Sequence, residues 1–264
     1  DESRLVGLSG PAMRRHVAVD GIYAYTTGSY GGLHILDTSD PTTPFEVGFT
    51  GDMGECYKVA TDGDYAYLAD YDYYNGGLHI LDISEPSVPI EVGLFDGSSA
   101  LGLAIVDHYA YITDGDNMRI LDIEDPASPQ EIGFIITPGA AQDVTVAGNY
   151  AYIADGYSGL RIIDISNPEE PFEVGSLAPT PFAYDVAVAG AFAYIASSHD
   201  GLRVINISSP TAPFEVGFFD IPDYAIRVVV EGNYIYIGTI YGGMFIVQFF
   251  PYSTYMPFIS GHTS

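Results

Sequence analysis

A Tyr-x-Tyr-like step returns six times along the chain at an almost constant interval. It stands at Tyr23–Tyr25, Tyr65–Tyr67, Tyr109–Tyr111, Tyr150–Tyr152, Phe192–Tyr194 and Tyr234–Tyr236. Their first residues lie 42, 44, 41, 42 and 42 positions apart. A unit of this length is too small to bury its own apolar faces, so its copies must pack on one another. The period is that of four-stranded propeller blades.

The fourth copy shows the unit in full. Asp143–Val146 alternates as a short strand, and Ala147-Gly148-Asn149 makes a tight turn. Tyr150–Ala154 is the second strand, Asp155–Gly159 a loop, and Leu160–Ile165 the third strand. Ser166–Pro171 is a turn bounded by proline, and Phe172–Leu177 is the fourth strand. Short β-branched or aromatic runs between Gly, Asn and Pro signals read as strands. Paired prolines three residues apart (Pro41/Pro44, Pro86/Pro89, Pro126/Pro129, Pro168/Pro171, Pro210/Pro213) stiffen the third-to-fourth turn, where a missing N–H breaks no ladder. The sixth copy ends after Phe245–Phe249 without a fourth strand, while Leu5-Val6-Gly7-Leu8 carries the fourth-strand pattern. The expected fold is therefore all-β: a six-bladed β-propeller over residues 1–250, closed by an N-terminal strand at about residues 4–9 that completes the last blade. Residues 251–264 are left as a tail outside the repeats.

The third-strand segments Leu33–Asp37, Leu78–Asp82, Met118–Asp122, Leu160–Asp164 and Leu202–Asn206 resemble the LVIVD repeat of bacterial and archaeal surface proteins. The preceding Tyr-Ala-Tyr-Ile-Ala-Asp step and the following Ser/Glu-x-Pro fit it too. The resemblance covers roughly residues 5–250, and implies a propeller that is usually exported. It implies no single activity.

Charge narrows the partners. Acidic residues number 35 against 8 basic, a net charge of −27. Such a surface repels nucleic acid and anionic membranes, and no apolar run approaches the ~20 residues of a membrane-spanning helix. An extracellular or cell-surface location is expected, and a start at Asp1 without methionine reads as a processed or recombinant N-terminus. Cys56 is the single cysteine, so no intramolecular disulfide forms. Its place among small apolar residues marks it as buried filler.

The repeat also separates scaffold from site. Positions constant in every blade serve the blade; departures are free to serve a ligand. First-to-second and third-to-fourth turns are uniform, whereas second-to-third and fourth-to-first loops vary, and alternating strand direction puts both variable sets on one face. Five residues before the turn Gly, or before His108 taken as its replacement, stand His16, Lys58, Leu103, Asp143, Asp185 and Arg227. One position earlier stand Arg15, Tyr57, Gly102, Gln142, Tyr184 and Ile226. First strands line a propeller channel, so these form a candidate polar ring at its mouth. His16, Lys58 and Arg227 are suited to an anionic group, with Tyr57 or Tyr184 for proton transfer. The architectural reading has Asp143 and Asp185 accepting backbone N–H bonds and the cations neutralising them.

Three further sets complete the candidates. Loop tyrosines Tyr30, Tyr71, Tyr73, Tyr74, Tyr157 and Tyr241 suit stacking on sugars or burial between blades, and His199 stands in another variable loop. Asp70 with Asp72, and Asp114 with Asp116, offer oxygen ligands of the kind calcium prefers, without a complete calcium loop. His34, His79, Arg119, Arg161 and Arg203 share one third-strand register and read as architectural. Phosphate loops, Gly-x-Ser-x-Gly, zinc spacings and HExxH are absent. The sequence thus supports a module that binds a carbohydrate, small molecule or protein. The alternatives are a lyase or hydrolase working through His16, Tyr57, Lys58, Tyr184 and Arg227, or a structural surface-layer role.

Overall fold

A computed structural model describes residues 14–28, 32–51, 53–72, 76–97, 99–178 and 181–248. The first blade is β1 (Arg14–Asp20), β2 (Tyr23–Gly28), β3 (Leu33–Asp37) and β4 (Phe45–Phe49). The second is β5 (Cys56–Asp62), β6 (Tyr65–Asp70), β7 (Gly77–Asp82) and β8 (Ile90–Asp96), and the third β9 (Gly102–Val106), β10 (Tyr109–Thr113), β11 (Gly115–Asp122) and β12 (Gln130–Ala141). The fourth is β13 (Asp143–Ala147), β14 (Tyr150–Ala154), β15 (Leu160–Asp164) and β16 (Phe172–Leu177). The fifth is β17 (Asp185–Ala189), β18 (Phe192–Ala196), β19 (Leu202–Asn206) and β20 (Phe214–Phe219), and the last β21 (Ala225–Glu231), β22 (Tyr234–Thr239) and β23 (Met244–Gln248). Strands within each sheet are hydrogen-bonded in chain order. The fold class is the six-bladed β-propeller that the repeat predicts. The expected closing strand at residues 4–9 and the tail at 251–264 lie outside the described residues.

The chain divides into two compact units, the first ending at Phe134 and the second beginning at Ile135. In each, the core lies between blades. In the first unit Tyr67, Ala69, Leu78 and Ile80 of the second blade meet Leu103, Ala110, Ile112 and Leu121 of the third. The alternate residues Ala66, Leu68 and Leu81 turn the other way, onto Tyr25, Leu33 and Ile35 of the first blade. The second unit repeats this between its neighbouring blades, with Tyr152 and Ile162 against Val186 and Ile195, and Tyr194 and Val204 against Val228 and Ile237. Two buried faces explain why the second strand is a continuous apolar run instead of an alternating one. Each fully buried Leu or Ile, such as Leu68 or Ile153, stabilises the fold by about 1.5–3 kcal/mol.

Local chemistry sets the turns. The Asp that ends the third strand accepts the N–H two residues on: Ser39 to Asp37 at 2.8 Å, Ser84 to Asp82 at 2.9 Å, Ser166 to Asp164 at 2.9 Å. These serine contacts, hydroxyl and N–H together, hold the three carboxyls below the ordinary Asp value. The repeat's terminal Asp is therefore a turn residue. The fourth-strand glycine is fixed by close approach: a Cβ on Gly48 would stand 1.9 Å from the Pro86 carbonyl oxygen of the next blade, and one on Gly93 1.9 Å from that of Pro126.

The first-to-second turns correct one register. Gly21, Gly63, Gly148, Gly190 and Gly232 all sit near φ +60°, and in the third blade that place is taken by Asp107 at φ 53°. Asp107, not His108, replaces the glycine, because exactly two residues separate Val106 from its partner Tyr109 in the antiparallel ladder. The third blade's member of the proposed ring is thus Gly102, which pairs with Thr113, and Leu103 is a core residue. The shift also gives Cys56 its equivalents: Ala100, Ala141, Ala183 and Ala225, all, like Cys56, fully buried.

Candidate functional site

The proposed ring positions follow a β-bulge. The ladder slips between Arg14 and His16, between Cys56 and Lys58, and between Ala225 and Arg227. In the other blades the same extra residue donates its N–H to the second strand: Leu101 to Thr113, Gln142 to Ala154, Tyr184 to Ala196, at 2.8, 2.8 and 2.9 Å. Bulges re-aim the side chains that follow them. In two blades the next residue reaches the neighbouring blade. Asp185, buried, accepts the Val228 N–H at 2.8 Å, and His16 Nδ1 accepts the Val59 N–H at 3.5 Å. Each contact satisfies a buried donor on the open edge of an innermost strand. The Asp185 carboxylate thus contacts the backbone of the next blade.

The other ring candidates are placed as follows. His16, Tyr57 and Lys58 belong to the first unit; Gln142, Asp143, Tyr184, Asp185 and Arg227 belong to the second. Tyr57 packs its ring on Tyr71 at 5.1 Å. Gln142 turns its amide onto the Ala140 carbonyl at 3.2 Å, Asp143 is buried, and the Arg227 guanidinium donates to the Ile226 carbonyl at 3.2 Å. Tyr73 and the side chain of Arg15 lie outside the described residues.

Third-strand His and Arg side chains face carboxylates in the first five blades. His79 sits between Asp70 at 3.5 Å and Glu91 at 2.8 Å. Arg119 lies between Asp114 at 2.7 Å and Glu131 at 2.6 Å, and Arg161 between Asp155 at 3.5 Å and Glu173 at 3.2 Å. Arg203 pairs with Asp200 and Glu215, and His34 with Glu46. Burial pushes the His79 ring toward neutrality, but its bonds to Asp70 and Glu91 prevail and its pKa rises above the ordinary value. Asp155 shows the opposite balance: full burial raises its pKa despite Thr137, the Gly139 N–H and Arg161. Of the carboxylates proposed for calcium, Asp70 faces His79 at 3.5 Å and Asp114 pairs with Arg119 at 2.7 Å. Asp72 donates its N–H to Asp70 at 3.1 Å, and Asp116 is exposed. Among the described residues no group of three or more His, Cys, Asp or Glu is placed to hold a metal ion.

The loop rings converge in the second unit. Tyr157, His199 and Tyr241 occupy one register in the second-to-third loops of three successive blades. Tyr241 is 83% exposed and Tyr157 76%. A cleft of about 630 Å³ opens between His199, Tyr224 and Tyr241, with Ile221, Pro222 and Phe245 as its apolar lining. The His199 ring lies 4.0 Å from Tyr224, which meets Tyr241 edge-on at 6.3 Å. Asp223 fixes the base: it accepts the Tyr224 N–H at 2.7 Å, the Tyr241 N–H at 2.8 Å and the Gly242 N–H. Burial pushes its carboxyl up, yet these donors and the Thr239 hydroxyl outweigh it and hold the pKa below the ordinary value. The cleft therefore presents ring faces above a fixed, ionised carboxylate. Tyr224 and Asp223 were not among the sequence candidates. Their signal is a departure from the repeat: the residue before the small buried one is Glu55, Ser99 and Ala140 in earlier blades, but Phe182 and Tyr224 in the last two.

An acidic β-propeller with a ring-lined cleft on its variable loops is the class these features define. The LVIVD repeat matches residues 10–50, 53–97, 97–137, 138–178, 182–221 and 222–248, and the chain belongs to that family. Among curated proteins no sequence match is found. A solved protein from Lactobacillus plantarum is similar in structure, with a TM-score of 0.84 and 12% identity over 97% of this chain and 86% of the other. The periplasmic gluconolactonase of Pseudomonas aeruginosa has a TM-score of 0.77 and 13% identity over 94% and 84%. A putative 6-phosphogluconolactonase from Bacteroides fragilis has 0.76 and 12% over 89% and 79%. At these identities the likeness is one of fold.

Proposed function

We propose that the chain is an exported recognition module that binds a carbohydrate on its variable loops, in the cleft between His199, Tyr224 and Tyr241. The observation that carries this is the cleft itself: ring faces left exposed on a base that Asp223 pins from three backbone N–H groups. Tyrosine gives a flat apolar face and a polar tip, matching the alternating C–H and O–H surfaces of a sugar. A preformed base lowers the ordering cost of binding. The test is calorimetric titration of the full chain with neutral sugars and sugar lactones. Binding that falls about tenfold in Tyr241→Ala, with circular dichroism unchanged, supports the reading; a folded protein that binds none of them refutes it.

The second reading is a hydrolase or lyase acting on a sugar-like or carboxylate-bearing substrate. It is favoured by the similarity in fold to a gluconolactonase and a putative 6-phosphogluconolactonase. Tyr184 and Arg227 of the second unit are its working groups. It predicts opening of gluconolactone above the spontaneous rate and loss of that excess in Arg227→Ala. An unchanged rate in the variant removes it.

A further inference from the structure

A second aromatic cluster stands at the same loop positions one blade earlier. Tyr157 meets Phe182 edge-on at 4.8 Å, and Phe182 lies 4.6 Å from Tyr184. Register makes the two clusters equivalent: Tyr157 corresponds to His199, and Phe182 to Tyr224. The backbone confirms it. Gly156 bridges Ala183 as Ser198 bridges Ala225. The bonds are Ala183 N–H to the Gly156 carbonyl at 3.0 Å, and Ser198 and Ala225 exchanging N–H bonds at 3.1 and 3.0 Å. Each loop is thus stitched to the blade that follows, and its ring is held before any ligand arrives. Gly156 and Ser198 both take left-handed backbone, at φ 52° and 44°, to make that stitch. For serine this conformation is uncommon, and such departures collect where a site is built.

We propose that Tyr157, Phe182 and Tyr184 form a second subsite, and that the ligand is an extended neutral oligosaccharide laid across the last three blades. The proposal rests on the carbohydrate reading of the cleft. Tyr157 remains 76% exposed, so covering its neighbour does not account for it. Facing sheets stand about 10 Å apart, roughly the span of a disaccharide, so rings repeated by blade match sugars repeated along a chain. Neutrality follows from charge. A net charge of −27 and the ionised Asp223 disfavour uronate or sulfated chains.

The experiment uses the full chain and neutral oligosaccharides from one to six units, chosen from a glycan array and titrated by calorimetry. Affinity is expected to rise at least tenfold from the disaccharide to the hexasaccharide. Tyr157→Ala should cut hexasaccharide affinity about tenfold and so flatten that rise, while Tyr241→Ala weakens every length. Phe172→Ala, an exposed ring at the other end of its blade, serves as the control that changes neither. Length-independent binding, or hexasaccharide affinity unaffected by Tyr157→Ala, overturns the second subsite and leaves the cleft standing. Equal affinity for a uronic-acid series overturns the neutral ligand. No binding at any length overturns both this inference and the function on which it rests.

Discussion

Asp185 separates the two meanings of the polar ring. Its carboxylate is buried and accepts the Val228 N–H at 2.8 Å from the next blade. Val228 is 4% exposed, so when the acceptor goes, water does not readily replace it. A hydrogen bond to a charged group contributes about 1.5–3 kcal/mol, and an abandoned buried donor costs about 1–3 kcal/mol. Asp185→Ala is therefore expected to lose about 2 kcal/mol. In a chain of this size each kcal/mol moves Tm by roughly 2–4 °C, so the midpoint should fall by about 4–8 °C. Asp185→Asn keeps a carbonyl acceptor in place and should lose about half as much. Calorimetric melting of the three proteins, with the sugar titration run in parallel, is the assay. If Asp185→Ala melts with the wild type but loses ligand affinity, the carboxylate serves the ligand and the inter-blade account is wrong. If Asn falls as far as Ala, charge and not acceptance is what matters there.

His79 gives a pH-dependent counterpart. Its folded pKa is raised, so its stabilising contribution is full below about 6.5 and is lost as pH rises through the folded value. His79→Arg installs the residue that three other blades carry in this register, and its Tm advantage over wild type should grow from about pH 6 to about pH 9; parallel curves refute the assignment. Cys56→Ala installs the side chain of Ala100, Ala141, Ala183 and Ala225, so its denaturation midpoint should shift by less than about 1.5 kcal/mol. Gly93→Ala should cost about 3 kcal/mol or more, read as lost soluble yield and a lowered Tm, because the new Cβ would press on the Pro126 carbonyl oxygen. A normal Tm would mean that the turn yields freely.

The fold was legible because the repeat states the same local rules in at least five of its six copies. Glycine at the hairpin, proline at the third-to-fourth turn and β-branched runs between them agree with one another, and agreement across levels specifies a fold. The one misplaced register shows what such a reading weighs wrongly. Glycine is the usual left-handed turn residue, and counting by residue type puts His108 in its place, but Asp107 takes that conformation and the ladder fixes the turn at two residues. Strand geometry, not residue type, decides the count. The third-strand cations were readable as a register yet not as a circuit, since Glu46, Glu91, Glu131, Glu173 and Glu215 face them only once the fourth strand pairs. Phe182 and Tyr224 were hidden for another reason: aromatics are common between blades, and only their exposed company marks these two.

The third-strand ion pairs also bear on what the loops can hold. Within the second unit Arg161 and Arg203 are bound between carboxylates of their own blades, and Arg203 also stacks over Phe218 at 5.1 Å. Breaking such a pair to meet an anionic ligand would leave Asp155, which is fully buried, without its counter-ion. Arg227 is engaged with its own backbone at Ile226. Arg161 and Arg203 are thus part of the scaffold, while the loops present rings, hydroxyls and a carboxylate whose backbone donors favour its ionised form. A ligand that gains from those groups is flat-faced, hydroxyl-rich and without negative charge. That is why the oligosaccharide is argued as neutral, and why a tight-binding polyuronate would undo the electrostatic half of the reasoning while leaving the ring geometry in place.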